Sequence, residues 1–157
     1  MFEHYREQVQ GTTIDPDTLL STDYFNLFNE VIMLLGLVAD MPDMPDMLDE
    51  VDNWQFRSYA EHFEASALGF AMLAVEAYPY APESARRAFE QNVEVMKMTV
   101  EEARMILRDL LDSGETDLLS LEARNYSERL QALVDTGSAI VHGAGHTLDQ
   151  SAIDDLF

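Results

Sequence analysis

Apolar residues recur along this chain at alternating steps of four and three, and the longest such run sets its organisation. Phe89, Val93, Met96, Val100, Ala103, Leu107 and Leu110 keep that rhythm, which gathers apolar groups on one side of a helix. The spacing predicts a helix over 82–113. Pro82 suits a first helical turn, where no amide partner is needed; Glu83 and Glu90 favour the positive N-terminal end, Arg104 and Arg108 the negative C-terminal end, and Gly114 stops the run. An apolar stripe of this length is not stable alone in water and must be met by other helices with matching stripes.

Three further stretches answer that need. Over 16–40, Leu20, Tyr24, Leu27, Val31, Leu34 and Val38 repeat the rhythm, with Asp15 as N-cap and Pro16 in the first turn. Val31 to Leu35 is apolar on every side, so this helix is either the most buried one or the contact of a homodimer through residues 16–40. Over 53–78, Phe56, Tyr59, Phe63, Ala67, Phe70, Leu73 and Ala77 trace another face, ended by Pro79 and Pro82, with Trp54 and Tyr80 at its two ends. Over 116–142, Leu119, Ala123, Tyr126, Leu130, Leu133, Gly137 and Ile140 trace the last. Between the first two helices, Asp40 to Glu50 repeats Asp-Met-Pro, and its prolines make it a connector. The expected fold is all-α, an antiparallel up-down-up-down four-helix bundle with a flexible C-terminal tail. Its parts are an N-terminal arm over 1–15, the bundle over 16–143, and a joint with an amphipathic docking peptide over 144–157.

Charge narrows the function classes. The 157 residues carry a formal net charge of −21, and Lys97 is the single lysine among nine cationic side chains. No basic patch is available for phosphate backbones or anionic membranes, so neither nucleic acid nor a membrane is an expected partner. An acidic surface fits high solubility, a salty environment or a basic protein partner. There is no cysteine, which removes thiolate metal sites and cysteine nucleophiles. The first ten residues lack the pattern of a signal peptide, and the longest apolar run is too short to span a bilayer, so a cytoplasmic location is expected.

Candidate chemistry is sparse. Carboxylate-bridged metal bundles use Glu-x-x-His on two of their helices, and this chain contains none. Glu30 and His62 at the edges of their stripes are only two ligands. His142 and His146 stand four apart, but Gly143 and Gly145 lie between them. The Asp-Met connector mixes hard and soft ligands at a spacing that suits neither. No metal or other cofactor is expected. No serine elbow, triad or phosphate-binding glycine loop is present, and catalytic residues stay unassigned. An acid and an amide three residues apart on an exposed helix face can orient water toward an acyl phosphate; Glu122 with Asn125, and Asp23 with Asn26, have that spacing.

The end of the chain differs from the rest. After Val141 the pattern gives way to His-Gly-Ala-Gly-His and then TLDQSAIDDLF. As a helix, this piece would set Leu148, Ala152, Ile153, Leu156 and Phe157 along one edge and Asp149, Asp154 and Asp155 along the other. A short amphipathic peptide tethered by glycines is the form of a docking segment; a last half-turn folding back on its own bundle is the other reading. The tail resembles the acidic peptides by which flagellar switch proteins, and the chemotaxis phosphatase at its C-terminus, hold the chemotaxis response regulator. Against the switch form Leu-Ser-Gln-x-Glu-Ile-Asp-x-Leu-Leu, positions Leu148, Gln150, Ile153, Asp154 and Leu156 agree, and Phe157 stands for the last leucine. The phosphatase's terminal peptide is similar to 152–157. That phosphatase's Asp-x-x-x-Gln pair has no counterpart here, since Gln131 and Asp135 occur in the reverse order.

The resemblance implies a signalling regulator or adaptor that binds a response-regulator receiver domain through Leu148, Gln150, Ile153, Asp154, Leu156 and Phe157. If it catalyses anything, the implied reaction is acyl-phosphate hydrolysis on that receiver. Two alternatives stay open: an acidic flagellar or secretion chaperone, which requires an exposed apolar groove along the first helix, and a bundle-type metal-binding protein.

Overall fold

The computed structural model describes residues 1–143. These residues are all-α, with seven helices in place of the expected four: α1 (Phe2–Gln8), α2 (Asn26–Asp40), α3 (Pro45–Asn53), α4 (Tyr59–Glu64), α5 (Ala71–Ala77), α6 (Glu83–Asp112) and α7 (Thr116–Val141). Short 3₁₀ turns occupy Thr22–Phe25 and Tyr78–Tyr80. The four-helix bundle is therefore corrected. The described residues form two compact units, one from 1–25, 57–93 and 135–143, the other from 26–56 and 94–134.

The last two predicted helices match the structure closely. Gly114, at φ +71°, ends α6 in a Schellman turn: its amide donates to the Leu111 carbonyl at 3.1 Å and the Glu115 amide to that of Leu110 at 3.0 Å. Met96, Val100, Ala103 and Leu107 of the predicted α6 stripe are buried, as are Leu119, Ala123, Tyr126 and Leu130 of α7.

The first two predicted helices are broken. Asp15 does cap a turn, accepting from the amides of Asp17 (2.8 Å) and Thr18 (3.2 Å), but that turn does not propagate. Leu19 adopts φ +59°, and the Asp15 amide donates to the Leu20 carbonyl at 2.8 Å, closing a tight loop. A non-glycine residue in this left-handed region is disfavoured by roughly 1–2 kcal/mol; full burial of Leu19 and Leu20 offsets it. Helix α2 begins only after the following 3₁₀ turn. The connector is shorter than expected, because Pro45 is the first residue of α3, preceded by an extended Met44. The predicted 53–78 helix is split by a capping box that opens α4: Ser58 Oγ accepts from the Glu61 amide at 3.2 Å while Glu61 Oε1 accepts from the Ser58 amide at 3.0 Å. Helix α4 stops at Ala65, and α5 starts anew after Phe70.

The first unit is built on an aromatic cluster. Tyr59 lies 4.7 Å from Phe63, 4.8 Å from Tyr78, 5.5 Å from Phe89 and 5.6 Å from Tyr24, measured between ring centroids, within the range where aromatic pairs add to their burial. Gly137 of α7 is part of this core: a β-carbon there would sit 2.5 Å from Phe25 Cζ and 2.6 Å from Asn92 Oδ1. In the second unit, Phe28, Val31, Leu35, Leu48, Val51, Met96 and Leu107 are fully buried. The indole of Trp54 lies 5.5 Å from the Phe28 ring and donates to the Leu27 carbonyl at 2.8 Å. Three residues on one side of α7 fasten α2: Ser120 donates to the Ala39 carbonyl (2.5 Å), Arg124 pairs with Asp40 (2.6 Å), and Ser127 donates to the Ile32 carbonyl (3.0 Å).

Candidate functional site

The residues expected to bind a partner, Leu148, Gln150, Ile153, Asp154, Leu156 and Phe157, lie outside the described residues. What the structure does describe is the point from which that segment leaves. Helix α7 ends at Val141, whose carbonyl accepts from the buried Thr18 hydroxyl at 2.6 Å, a side-chain partner of the kind the last carbonyls of a helix require. His142 lies 3.5 Å from the Asp15 carboxylate, and the Gly143 amide, at φ +92°, donates to the Ile140 carbonyl at 3.0 Å. The Asp15–Leu20 loop that replaces the start of a long helix thus caps the end of α7. A cavity of about 390 Å³ in this unit is lined by Asp17, Thr18, Pro82, Ser84, Ala85 and Gly143.

Beside the aromatic cluster is a compact polar knot. The Thr13 hydroxyl donates to the Asp23 carboxylate and lies 3.0 Å from the Ser21 hydroxyl; Ser21 in turn donates to Asp23 at 3.2 Å. The Ser21 amide donates to the Tyr59 hydroxyl at 3.1 Å, and the Tyr24 hydroxyl donates to the Arg57 carbonyl at 2.7 Å. Burial pushes both phenols well above the ordinary tyrosine range. His62 packs edge-on to Tyr24 and Phe63. Burial holds its imidazole below the usual histidine value, opposed by its hydrogen bond to the Asp23 backbone. This is not a nucleophilic triad: Ser21 is fully buried and its hydroxyl engages Thr13 and Asp23. It ties the 13–23 loop to α4.

The second unit uses its arginines structurally. Arg104 of α6 donates to the Val51 carbonyl at 2.9 Å and to that of Trp54, satisfying the C-terminal end of α3, with its guanidinium 5.6 Å from the Trp54 ring. Arg108 binds Asp49 at 3.1 Å and also Asp52, pairing one helix turn further along. These carboxylates hold the Arg108 guanidinium above its usual range. Sequence reasoning placed both arginines only by their favourable end of α6; the carbonyls they reach lie on another helix.

The other sequence candidates separate clearly. Asp23 is committed to Thr13 and Ser21. Glu122 is half-buried and Asn125 exposed on one side of α7, so theirs is the acid–amide pair that faces solvent. Gln131 and Asp135 are exposed on α7. Glu30 is exposed on α2, while His62 serves the aromatic packing just described. His146 lies outside the described residues. Among the described residues, no group of three or more histidines and carboxylates is arranged to hold a metal ion, and no helix is long and apolar enough to cross a membrane. On α2, the exposed large apolar side chain is Met33; Leu27, Phe28, Val31, Leu35 and Val38 are buried. Exposed apolar side chains are denser on α6 and α7.

Compared with protein-family models, curated proteins and solved structures, the chain matches none. No relative connects it to chemotaxis or to response-regulator binding. The four-helix bundle expected from the apolar rhythm is thus corrected by the seven helices, and the chemotaxis resemblance of the tail has no homologue behind it.

Proposed function

We propose that the chain is a protein-binding adaptor whose C-terminal peptide, Leu148, Gln150, Ile153, Asp154, Leu156 and Phe157, engages a receiver domain in the cytoplasm. The observation that carries this reading is the tail's sequence: five apolar or polar anchors at the spacing of receiver-binding peptides, beginning seven residues past the capped end of α7. The Thr18 cap and the left-handed Gly143 support it, because they end α7 before that peptide begins. A homodimer through residues 16–40 belongs to the same proposal and would be built on the exposed Met33. If the adaptor also hastens loss of phosphate from its partner, Glu122 and Asn125 are the pair to do it, since Asp23 is already engaged.

The test is binding of the full chain and of its Ile153→Ala/Phe157→Ala variant to receiver domains, phosphorylated and unphosphorylated, with phosphate release followed in the same tube. We expect the double variant to bind at least about tenfold more weakly, the effect of losing about 1.4 kcal/mol. Equal affinity of the two proteins for every receiver tried would overturn the proposal. Release that survives Asn125→Ala would remove the acid–amide pair while leaving the adaptor reading intact.

A further inference from the structure

The second unit carries an apolar surface that the tail does not account for. On α6, Val95, Met98, Met105 and Ile106 are exposed, Met105 at 70% and Met98 at 59%. Met98 and Met105 stand two helical turns apart, and Val95 and Ile106 three turns apart, so the four share one face about 16 Å long. The ion pair between Glu102 in the middle of this face and Arg129 of α7, at 3.3 Å, shows which side of α7 adjoins it. Leu118 and Leu121, eleven and eight residues before Arg129, lie on that same side and are also exposed, at 45% and 53%. Beside the patch stand the exposed carboxylates Glu94, Glu101 and Asp109 on α6 and Asp117 and Glu128 on α7; Arg104 and Arg108, which share a cavity with Met105, are held by the end of α3 and by Asp49 and Asp52.

We infer that this face of α6 and α7 is a docking surface for a basic amphipathic helix of a protein partner. Three properties select that occupant. An apolar strip three turns long accepts the i, i+3/i+4, i+7 anchors of a helix laid along it. Methionine fills irregular contacts with little strain, as surfaces that accept helical segments require. The carboxylate border, in a chain of net charge −21, is complementary to lysines and arginines flanking those anchors. A second copy of this chain is a poorer fit, since it would bring one acidic border against another. The inference is independent of the tail and stands or falls without it.

The probe is a designed 14-residue helix of leucine and lysine with its leucines along one face, set against a scrambled peptide of the same composition, which keeps the charge but not the face. Binding to the full-length chain is followed by anisotropy at 0.15 M salt. The expected result is preference for the amphipathic peptide and a loss of at least tenfold in affinity on Met98→Glu/Met105→Glu. Met72→Glu, on α5 and equally exposed at 60%, should leave affinity unchanged and controls for an added acidic residue. Circular dichroism checks that both variants are folded, as expected of substitutions at exposed positions. Equal affinity for the scrambled peptide, or equal affinity of the double variant, overturns the inference. So does concentration-dependent self-association that Met98→Glu/Met105→Glu abolishes, because it would assign the face to a second copy. The Ile153→Ala/Phe157→Ala variant should bind the probe as the parent chain does, so failure of the tail proposal and failure of this one are read separately.

Discussion

Replacing Gly137 by alanine sets two well-defined effects against each other. Within a helix, glycine is destabilising by roughly 0.5–1 kcal/mol relative to alanine, so on propensity alone the variant should be the more stable protein. Packing opposes this. The new β-carbon would lie 2.5 and 2.8 Å from two atoms of the Phe25 ring and 2.6 Å from Asn92 Oδ1, where ordinary contact begins at 3.4 Å. Neither neighbour has room to retreat: Phe25 is 2% exposed and packs at 5.8 Å on Phe89, and Asn92 is 7% exposed. Overpacking of a filled core is disfavoured by about 1–3 kcal/mol, and a triple contact this short belongs at the upper end. We expect Gly137→Ala to lose about 2–2.5 kcal/mol net, a fall of roughly 4–10 °C in Tm for a chain of this length. Gly36→Ala is the matched control. It lies inside α2 with nothing within 4 Å of its would-be β-carbon, so it should gain about 0.5–1 kcal/mol. Urea unfolding followed at 222 nm, with slopes compared to confirm an unchanged extent of unfolding, gives both numbers. A Gly137→Ala variant as stable as the parent, or more so, would refute the close approach of α7 to Phe25.

Two further outcomes follow from single side chains. Arg104→Met should lower stability by about 1–3 kcal/mol, because the carbonyls at the end of α3 lose a charged donor, and Arg104→Lys should recover only part of it for want of the planar fork; Trp54, the one tryptophan, reports the change by its fluorescence, and an unshifted emission in Arg104→Met would sink the idea. The second concerns pH. Burial holds His62 below its ordinary value of about 6.5, so between that value and its lower folded one the unfolded chain binds the extra proton. Its contribution is complete above about pH 6.5 and is lost as pH falls below it. The groups that act on it are Asp23, which favours the proton, and Arg57, which opposes it. The parent should therefore lose stability between about pH 7 and 5.5 more steeply than His62→Phe, and parallel curves over that window would contradict the assignment. Glu61, held low by its hydrogen bonds to Ser58, acts in a separate window, below about pH 4.5.

How much of this was legible in the sequence differs from helix to helix, for physical reasons. The rhythm of apolar residues registers which positions are buried well over 16–40, where Leu20, Tyr24, Leu27, Val31 and Val38 are buried, and less well over 53–78, where Tyr59, Phe63 and Ala77 are buried but Phe56, Phe70 and Leu73 only half-buried and Ala67 exposed. It does not register whether the backbone between them is continuous. For α6 and α7 the rhythm was joined to local stops, Gly114 above all, and the boundaries came out within a residue or two. For the first two predicted helices the decisive signals were local. Ser58-Tyr-Ala-Glu61 is a capping box readable from sequence, and it marks a new helix start inside what periodicity treats as one run. Asp15-Pro16 was ambiguous on principle. An N-cap and a one-turn loop both use the aspartate oxygen to accept the amides two and three residues on, so the same chemistry opens a long helix or ends after one turn. What decides between them is Leu19 in the left-handed region, and nothing in a leucine announces that conformation.

The positive side chains were the least legible part, and they connect the fold to the two binding proposals. Arg104 reaches backbone carbonyls about fifty residues away in sequence, a target with no side-chain signature. Arg6, Arg87, Arg108, Arg124 and Arg129 pair with carboxylates of their own chain, and Lys97 sits over the Phe56 ring at 5.0 Å. The exposed pairs among them contribute at most about 1 kcal/mol each, so their importance is less in stability than in leaving few cations to neutralise the remaining acids. Those acids do not stabilise the fold by their own repulsion. They border the exposed methionines and leucines of α6 and α7, and they alternate with the apolar residues of 148–157. Acidic charge around apolar anchors speeds encounter with a basic partner and is screened by salt, whereas the anchors set how long the complex lasts. Raising salt from 0.15 to 1 M should therefore slow association of the amphipathic probe far more than it hastens dissociation. A probe whose dissociation rate rises in step with the fall in association would be held by charge alone.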